Sequence, residues 1–192
     1  MEINEALAKR LTKEQIEVLE RFVKEKNEVP IRIVYTGGYW DKIAKDQKYQ
    51  LAKRELSALK NSLKKLSSFI GSQKINIIHL GPGNGMEIPF ILKSINKMMI
   101  STYALVDTNQ TMLKLSEKKI KKEDKKIIIK KFKRDIETYG IKDICEEVKK
   151  NDAEINLIIL IANGVLFSNE DFVKEIKRSM DNKDFLYVTL EL

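Results

Sequence analysis

Residues 74–92 read KINIIHLGPGNGMEIPFIL. Ile75, Ile77, Ile78 and Leu80 form an apolar run that is too short for a helix and rich in β-branched side chains, which predicts a buried strand. Gly81, Gly83 and Gly85 follow as G-x-G-x-G, and residues 86–94 then read as a helix, with Glu87 in its first turn and Pro89 near its start, where a missing N–H costs least. Strand, glycine turn and helix make the first half of a nucleotide-binding β-α-β unit. The glycines permit a tight turn and let a ligand approach the backbone without meeting a Cβ atom. A phosphate would favour a bare helix N-terminus. Glu87 sits there instead, which suits a ligand that presents an ammonium group.

Downstream, strands alternate with helices. Met99–Val106 is the predicted second strand. Asp107 stands at its end, 22 residues after Gly85. An acidic residue there can accept both hydroxyls of an adenosine ribose, or it can cap the helix that follows (Met112, Leu113, Leu115, Ile120). Ile127–Phe132 is the third strand, with Arg134-Asp135 at its end; a carboxylate there could reach an exocyclic adenine amine. Ile141–Lys149 reads as a helix. Ile155–Ile161 is an almost unbroken apolar strand, as expected for one buried on both faces, and it ends in Ala162-Asn163-Gly164. Asn169–Met180 is helical, and Phe185–Leu190 is a fifth strand. This alternation predicts an α/β fold with a Rossmann-like, doubly wound, mainly parallel sheet. In such sheets ligands bind beyond the carboxyl ends of the strands. The glycines, Asp107, Asp135 and Asn163 all fall there.

Upstream, residues 1–29 read as one or two helices with a Thr12–Gln15 capping box. Pro30 ends them, and Gly37-Gly38 makes a turn. From Asp41 to Ile70 the period is helical, with Leu56, Leu59, Leu63, Leu66 and Ile70 on one face and Gly71 as its stop. Residues 1–73 are therefore expected to form a helical cap, and residues 74–192 the cofactor-binding domain. Tyr35, Tyr39 and Trp40 either close over a ligand or fix the cap to the core.

A chain of 192 residues suits a single domain with a sizeable core. No segment resembles a signal peptide, and no apolar run reaches the roughly 18–20 residues that span a bilayer. Cys145, the single cysteine, falls on the apolar face of its helix as a small core residue, and a reducing cytoplasm fits. The net charge of +8 comes almost entirely from lysine, densest between Lys118 and Arg134. Phe132 is the one aromatic within that run, whereas single-strand binders interleave several. A solvated surface is favoured there over a nucleic-acid partner. No metal site is expected.

A dinucleotide site wants G-x-G-x-x-G, and position 86 is Met; a Walker loop needs Gly-Lys-Ser/Thr, which is absent. The set H-L-G-P-G-N-G-M-E, A-L-V-D, K-R-D-I and I-N-L-I-I-L-I-A-N-G resembles the motifs of class I S-adenosylmethionine-dependent methyltransferases in order and spacing. That resemblance implies that Gly81, Gly83 and Gly85 lie under the cofactor, with Pro82, Asn84, Glu87, Thr108 and Ile136 around it. Asp107 would hold the ribose, Asp135 the adenine amine, and Asn163 would border the methyl-donor end. Y-T-G-G-Y-W-D together with A-N-G-V-L-F-S-N-E-D-F is similar to the histidine-specific group, which methylates an amino-acid amine. The implied substrate is a small amine or amino-acid-like molecule, with Tyr35, Tyr39 and Trp40 on its side.

The family normally carries two more strands beside the fifth. Without them Phe185–Leu190 would be a bare apolar edge, and pairing of two such edges would make a homodimer. The chemistry asks for an in-line approach of a deprotonated amine to the methyl group, and no base is identified. His79 reads as a packed strand residue rather than a catalytic one. Two other readings differ in class: an RNA or protein methyltransferase using the Lys118–Arg134 surface, and a cofactor-binding module without turnover.

Overall fold

A computed structural model describes residues 59, 62, 63, 65–149, 153, 155–161 and 170–189. The chain divides into two compact units, Met1–Asp46 and Gln47–Leu192; the first lies outside the described residues.

The second unit is built on a five-stranded sheet. Its strands are β1 (Ile75–Leu80), β2 (Ile100–Asp107), β3 (Ile128–Lys133), β4 (Ile155–Ile161) and β5 (Phe185–Thr189). The order is β3-β2-β1-β4-β5, and every pairing is parallel. The expected doubly wound parallel sheet is therefore present. The strand that carries the glycine turn lies at its centre, flanked by β2 and β4.

Helical residues 59, 62, 63 and 65–70 (α1) precede β1, and Gly71, at φ +62°, closes α1 with its N–H on Ser67 O. The remaining helices are α2 (Ile88–Ser94), α3 (Gln110–Glu123), α4 (Ile136–Tyr139), α5 (Lys142–Lys149) and α6 (Glu170–Arg178). They cover both faces of the sheet. On one face Leu59, Leu63, Ile88, Ile91, Leu113 and Ile120 pack against Ile75, Ile77, Leu105, Leu157 and Ile159. On the other, Ile144, Cys145, Val148 and Ile176 pack against Ile78, Leu80, Ala104, Val106 and Ile158. Strand residues alternate between the two clusters because successive side chains point to opposite faces. With both faces covered, β1 is buried at all six positions, four of them apolar and two, Asn76 and His79, polar. Cys145 is buried, and burial pushes its thiol up to about 12.

The sheet's two edges differ in chemistry. β3 carries Lys130, Lys131 and Lys133, a charged edge that discourages further pairing. β5 reads FLYVT and pairs with β4 alone among the described residues. Tyr187 of β5 hydrogen-bonds the Ser62 hydroxyl, tying this strand to α1. Among the described residues no helix is long and apolar enough to cross a membrane.

Candidate cofactor site

The glycine turn carries three left-handed glycines. Gly81, Gly83 and Gly85 have φ of +59°, +53° and +67°, a region that costs other L-residues roughly 1–2 kcal/mol. The turn is closed locally, with Gly85 N–H on Pro82 O at 2.8 Å and Ile88 N–H on Gly85 O at 3.2 Å. These two turns delay α2 to Ile88, two residues later than the sequence suggests, and leave Pro89 in its first turn. The glycines serve different ends. A Cβ on Gly81 would meet nothing within 4 Å, so its surface is open to a ligand. A Cβ on Gly85 would lie 2.6 Å from Ile88 Cδ1 and 2.7 Å from Ser116 Oγ, so this glycine lets α2 and α3 close on the turn.

Asp107 reaches the same turn from β2. Its Oδ2 accepts the Gly83 N–H at 3.3 Å, and its Oδ1 accepts the Asn109 N–H at 2.8 Å. It does not cap α3. Asn109 does, its side chain accepting the Thr111 N–H at 2.8 Å. Burial pushes the Asp107 carboxyl up to about 6, against the opposing pull of the N–H groups of Asn109, Gly83 and Thr108. A partly buried acceptor of this kind gains from a ligand that brings hydroxyl donors.

Two backbone contacts align the strand ends. Gly81 N–H meets Val106 O at 2.8 Å, and Arg134 N–H meets Asp107 O at 3.0 Å. On the helix side, Ser116 Oγ donates to Gly83 O at 3.0 Å. Asn84 is buried, its Oδ1 accepting the Met86 N–H at 3.2 Å. Asp135 lies half-buried beyond β3, directly ahead of α4 and Ile136. Arg134 beside it forks onto Asp143. Thr108 is exposed after β2.

The carboxyl ends of β1, β2 and β3 thus gather Gly81, Pro82, Gly83, Asn84, Gly85, Glu87, Asp107, Thr108, Asp135 and Ile136. Asn163, Tyr35, Tyr39 and Trp40 lie outside the described residues.

Ser116 and the His79–Tyr103 contact escape a reading by pattern. Ser116 is fully buried on the apolar face of α3, between Leu113 and Ile120; a lone hydroxyl at a core position is the signal that marks it. His79 and Tyr103 are fully buried side by side, with Nδ1 and Oη 2.9 Å apart.

Part of the basic run is paired internally. Lys121 and Lys131 converge on Glu117, Lys130 pairs with Glu147 at 3.1 Å, and Arg134 pairs with Asp143. The concavity lined by Met180, Asp181, Asn182 and Lys183 lies ahead of β5, at the opposite end of the sheet from the glycine turn. Among the described residues no cluster of His, Cys, Asp or Glu is arranged to hold a metal.

A parallel sheet with a glycine turn at its centre and carboxylates at the next two strand ends defines a Rossmann-like α/β protein, a class that binds ligands beyond the carboxyl ends of its strands. Residues 10–192 match the family of histidine-specific, SAM-dependent methyltransferases, and the chain belongs to that family. Two solved structures share its fold. A SAM-dependent methyltransferase of Leishmania major superposes with a TM-score of 0.50 at 12% identity, covering 89% of this chain and 68% of that one. The plantazolicin methyltransferase BpumL, solved with SAH, superposes with a TM-score of 0.52 at 14% identity, covering 91% of this chain and 60% of that one. The chain therefore spans about two thirds of the length of these neighbours. No curated protein matches it in sequence.

Proposed function

We propose that this chain binds S-adenosylmethionine across the carboxyl ends of β1, β2 and β3 and directs its methyl group to the amine of a small, amino-acid-like acceptor. The observation that carries the reading is the Asp107 carboxylate held on the glycine turn by the Gly83 N–H. A carboxylate fixed there is placed to accept ribose hydroxyls. Gly81 offers open backbone surface for close approach. Asp135 takes the adenine amine and Glu87 the ammonium group, with Pro82, Asn84, Gly85, Thr108 and Ile136 forming the surrounding wall.

The bound cofactor supplies an electrophilic methyl group on a sulfonium. The protein's task is to hold an acceptor amine, already deprotonated, in line with it. As the family resemblance implies, Asn163 would border the methyl end, and Tyr35, Tyr39 and Trp40 are the candidates for the substrate side. The family's description as histidine-specific supports this acceptor class. The buried Cys145 thiol suits a reducing cytoplasm, and the β5 edge is the surface through which two copies would pair.

The test is calorimetric titration with S-adenosylmethionine and S-adenosylhomocysteine, alongside Asp107→Ala. Saturable binding of both, lost in the variant, supports the site and leads to a methyl-transfer screen that starts with histidine. A folded protein that binds neither overturns the reading.

A further inference from the structure

Beneath the glycine turn, Tyr103, His79 and Glu87 follow one another in a chain of contacts. Tyr103 on β2 and His79 on β1 are both fully buried, and Tyr103 Oη lies 2.9 Å from His79 Nδ1. On the far side of the ring, His79 Nε2 faces Glu87 Oε1 at 3.3 Å, without the angle of a formal hydrogen bond. Glu87 occupies the N-cap position of α2, yet its side chain makes no cap hydrogen bond.

We propose that His79 is a positioning residue, which, braced by Tyr103, holds the Glu87 carboxylate at the mouth of the glycine turn to receive the amino group of the cofactor's methionine portion. The inference rests on the cofactor reading above. Apolar residues would fill this space without the cost of desolvating an imidazole and a phenol, so packing alone does not account for the pair. The ring's tautomer follows from its neighbours. With hydrogen on Nδ1, a lone pair on Nε2 would face the carboxylate oxygen. With the Tyr103 hydroxyl donating to Nδ1, Nε2 carries the hydrogen and presents it to Glu87.

Burial keeps the ring neutral, holding its pKa down to about 3. Glu87 in turn acts on Tyr103, adding to burial in raising the phenol's pKa well above its usual value. A cation in place of His79 would cancel the Glu87 charge. A neutral donor orients the carboxylate without cancelling its charge.

The test compares two ligands that differ at that ammonium. S-adenosylhomocysteine carries the amino-acid portion; 5′-methylthioadenosine lacks it. Glu87→Gln and His79→Leu should each weaken binding of S-adenosylhomocysteine about tenfold, the scale of a hydrogen bond to a charged group, and leave 5′-methylthioadenosine binding unchanged. The double variant should be no weaker than Glu87→Gln alone, because His79 acts through Glu87. Equal loss for both ligands in His79→Leu, or additive loss in the double variant, overturns the proposal. If His79→Leu does not fold, Tyr103→Phe is judged by the same ratio, with a smaller selective loss expected and an unchanged ratio decisive against the proposal. Failure of the intact protein to bind either ligand would instead sink the cofactor reading.

Discussion

Asp107 Oδ2 accepts the backbone N–H of Gly83 at 3.3 Å. The end of β2 thereby holds the turn at the end of β1, and a ligand that uses the carboxylate meets a turn already braced by it. The same carboxylate serves fold and site, which makes its protonation state consequential.

Burial raises the Asp107 carboxyl from its ordinary value near 3.8 to about 6. The folded, ligand-free protein therefore holds this proton more tightly than the unfolded chain does. Its contribution to stability is fully present below about pH 4 and is lost as pH rises through about 6. Ribose hydroxyls donate to the ionised form, so cofactor binding runs the other way. Affinity should be about tenfold higher at pH 7 than at pH 5, the ratio of ionised fractions for a group titrating near 6. Titration calorimetry at the two pH values checks this, and Asp107→Asn should flatten the dependence while weakening binding.

Gly81→Ala and Gly85→Ala should separate binding from folding. At Gly85 the added methyl meets Ile88 Cδ1 and the Ser116 side chain at 2.6 Å and 2.7 Å. Overpacking of about 1–3 kcal/mol then adds to the positive-φ strain, and thermal denaturation should show a marked fall in Tm. At Gly81 the strain acts alone, roughly 1–2 kcal/mol. That variant should remain folded but lose cofactor affinity, because its methyl enters the open surface that the ligand needs.

Ser116→Ala removes the hydroxyl that donates to Gly83 O. The cost should be about 1 kcal/mol in chemical denaturation. Cofactor affinity should fall several-fold as well, although Ser116 lies on α3 and is fully buried. A stability loss with unchanged affinity would show that the turn does not depend on this contact.

The Lys118–Arg134 run should bind RNA weakly and without selectivity. Glu117, Glu147 and Asp143 already engage Lys121, Lys131, Lys130 and Arg134. Fluorescence anisotropy with a single-stranded RNA at low and moderate salt measures this. Tight binding with a steep salt slope would revive the RNA-modifying reading.

Much of the fold was legible because its signals are local. Ile75–Leu80 and Ile155–Ile161 are apolar runs that only a doubly covered sheet can absorb, and they do lie side by side with Ile100–Asp107 on the other flank. The glycine turn was legible for the same reason, since positive φ selects glycine residue by residue. Asp107 could be placed at a strand end, where its spacing from the glycines favours a ribose role over a helix cap. Asn109 takes the cap and so frees Asp107 for the turn. Ser116, Tyr103 and the Glu87–His79 approach were not legible. Each joins elements far apart in sequence, and a single polar side chain at a core position leaves no period to detect. The third strand runs one residue later than its apolar run, to Lys133, because an edge strand tolerates lysine where a central one does not.

The central position of β1 also bears on how the chain is made. Residues 75–135 contain the glycine turn, Asp107 and Asp135, all of which leave the ribosome together. The strand that closes the other side of β1 begins at Ile155, 75 residues after β1 ends. At synthesis rates of about 5–20 residues per second, the nascent chain carries an unpaired apolar strand edge for several seconds before its partner exists. A product stopped near residue 135 would hold most of the adenosine-recognition chemistry on a sheet with its middle laid open, and its expected fate is aggregation rather than function.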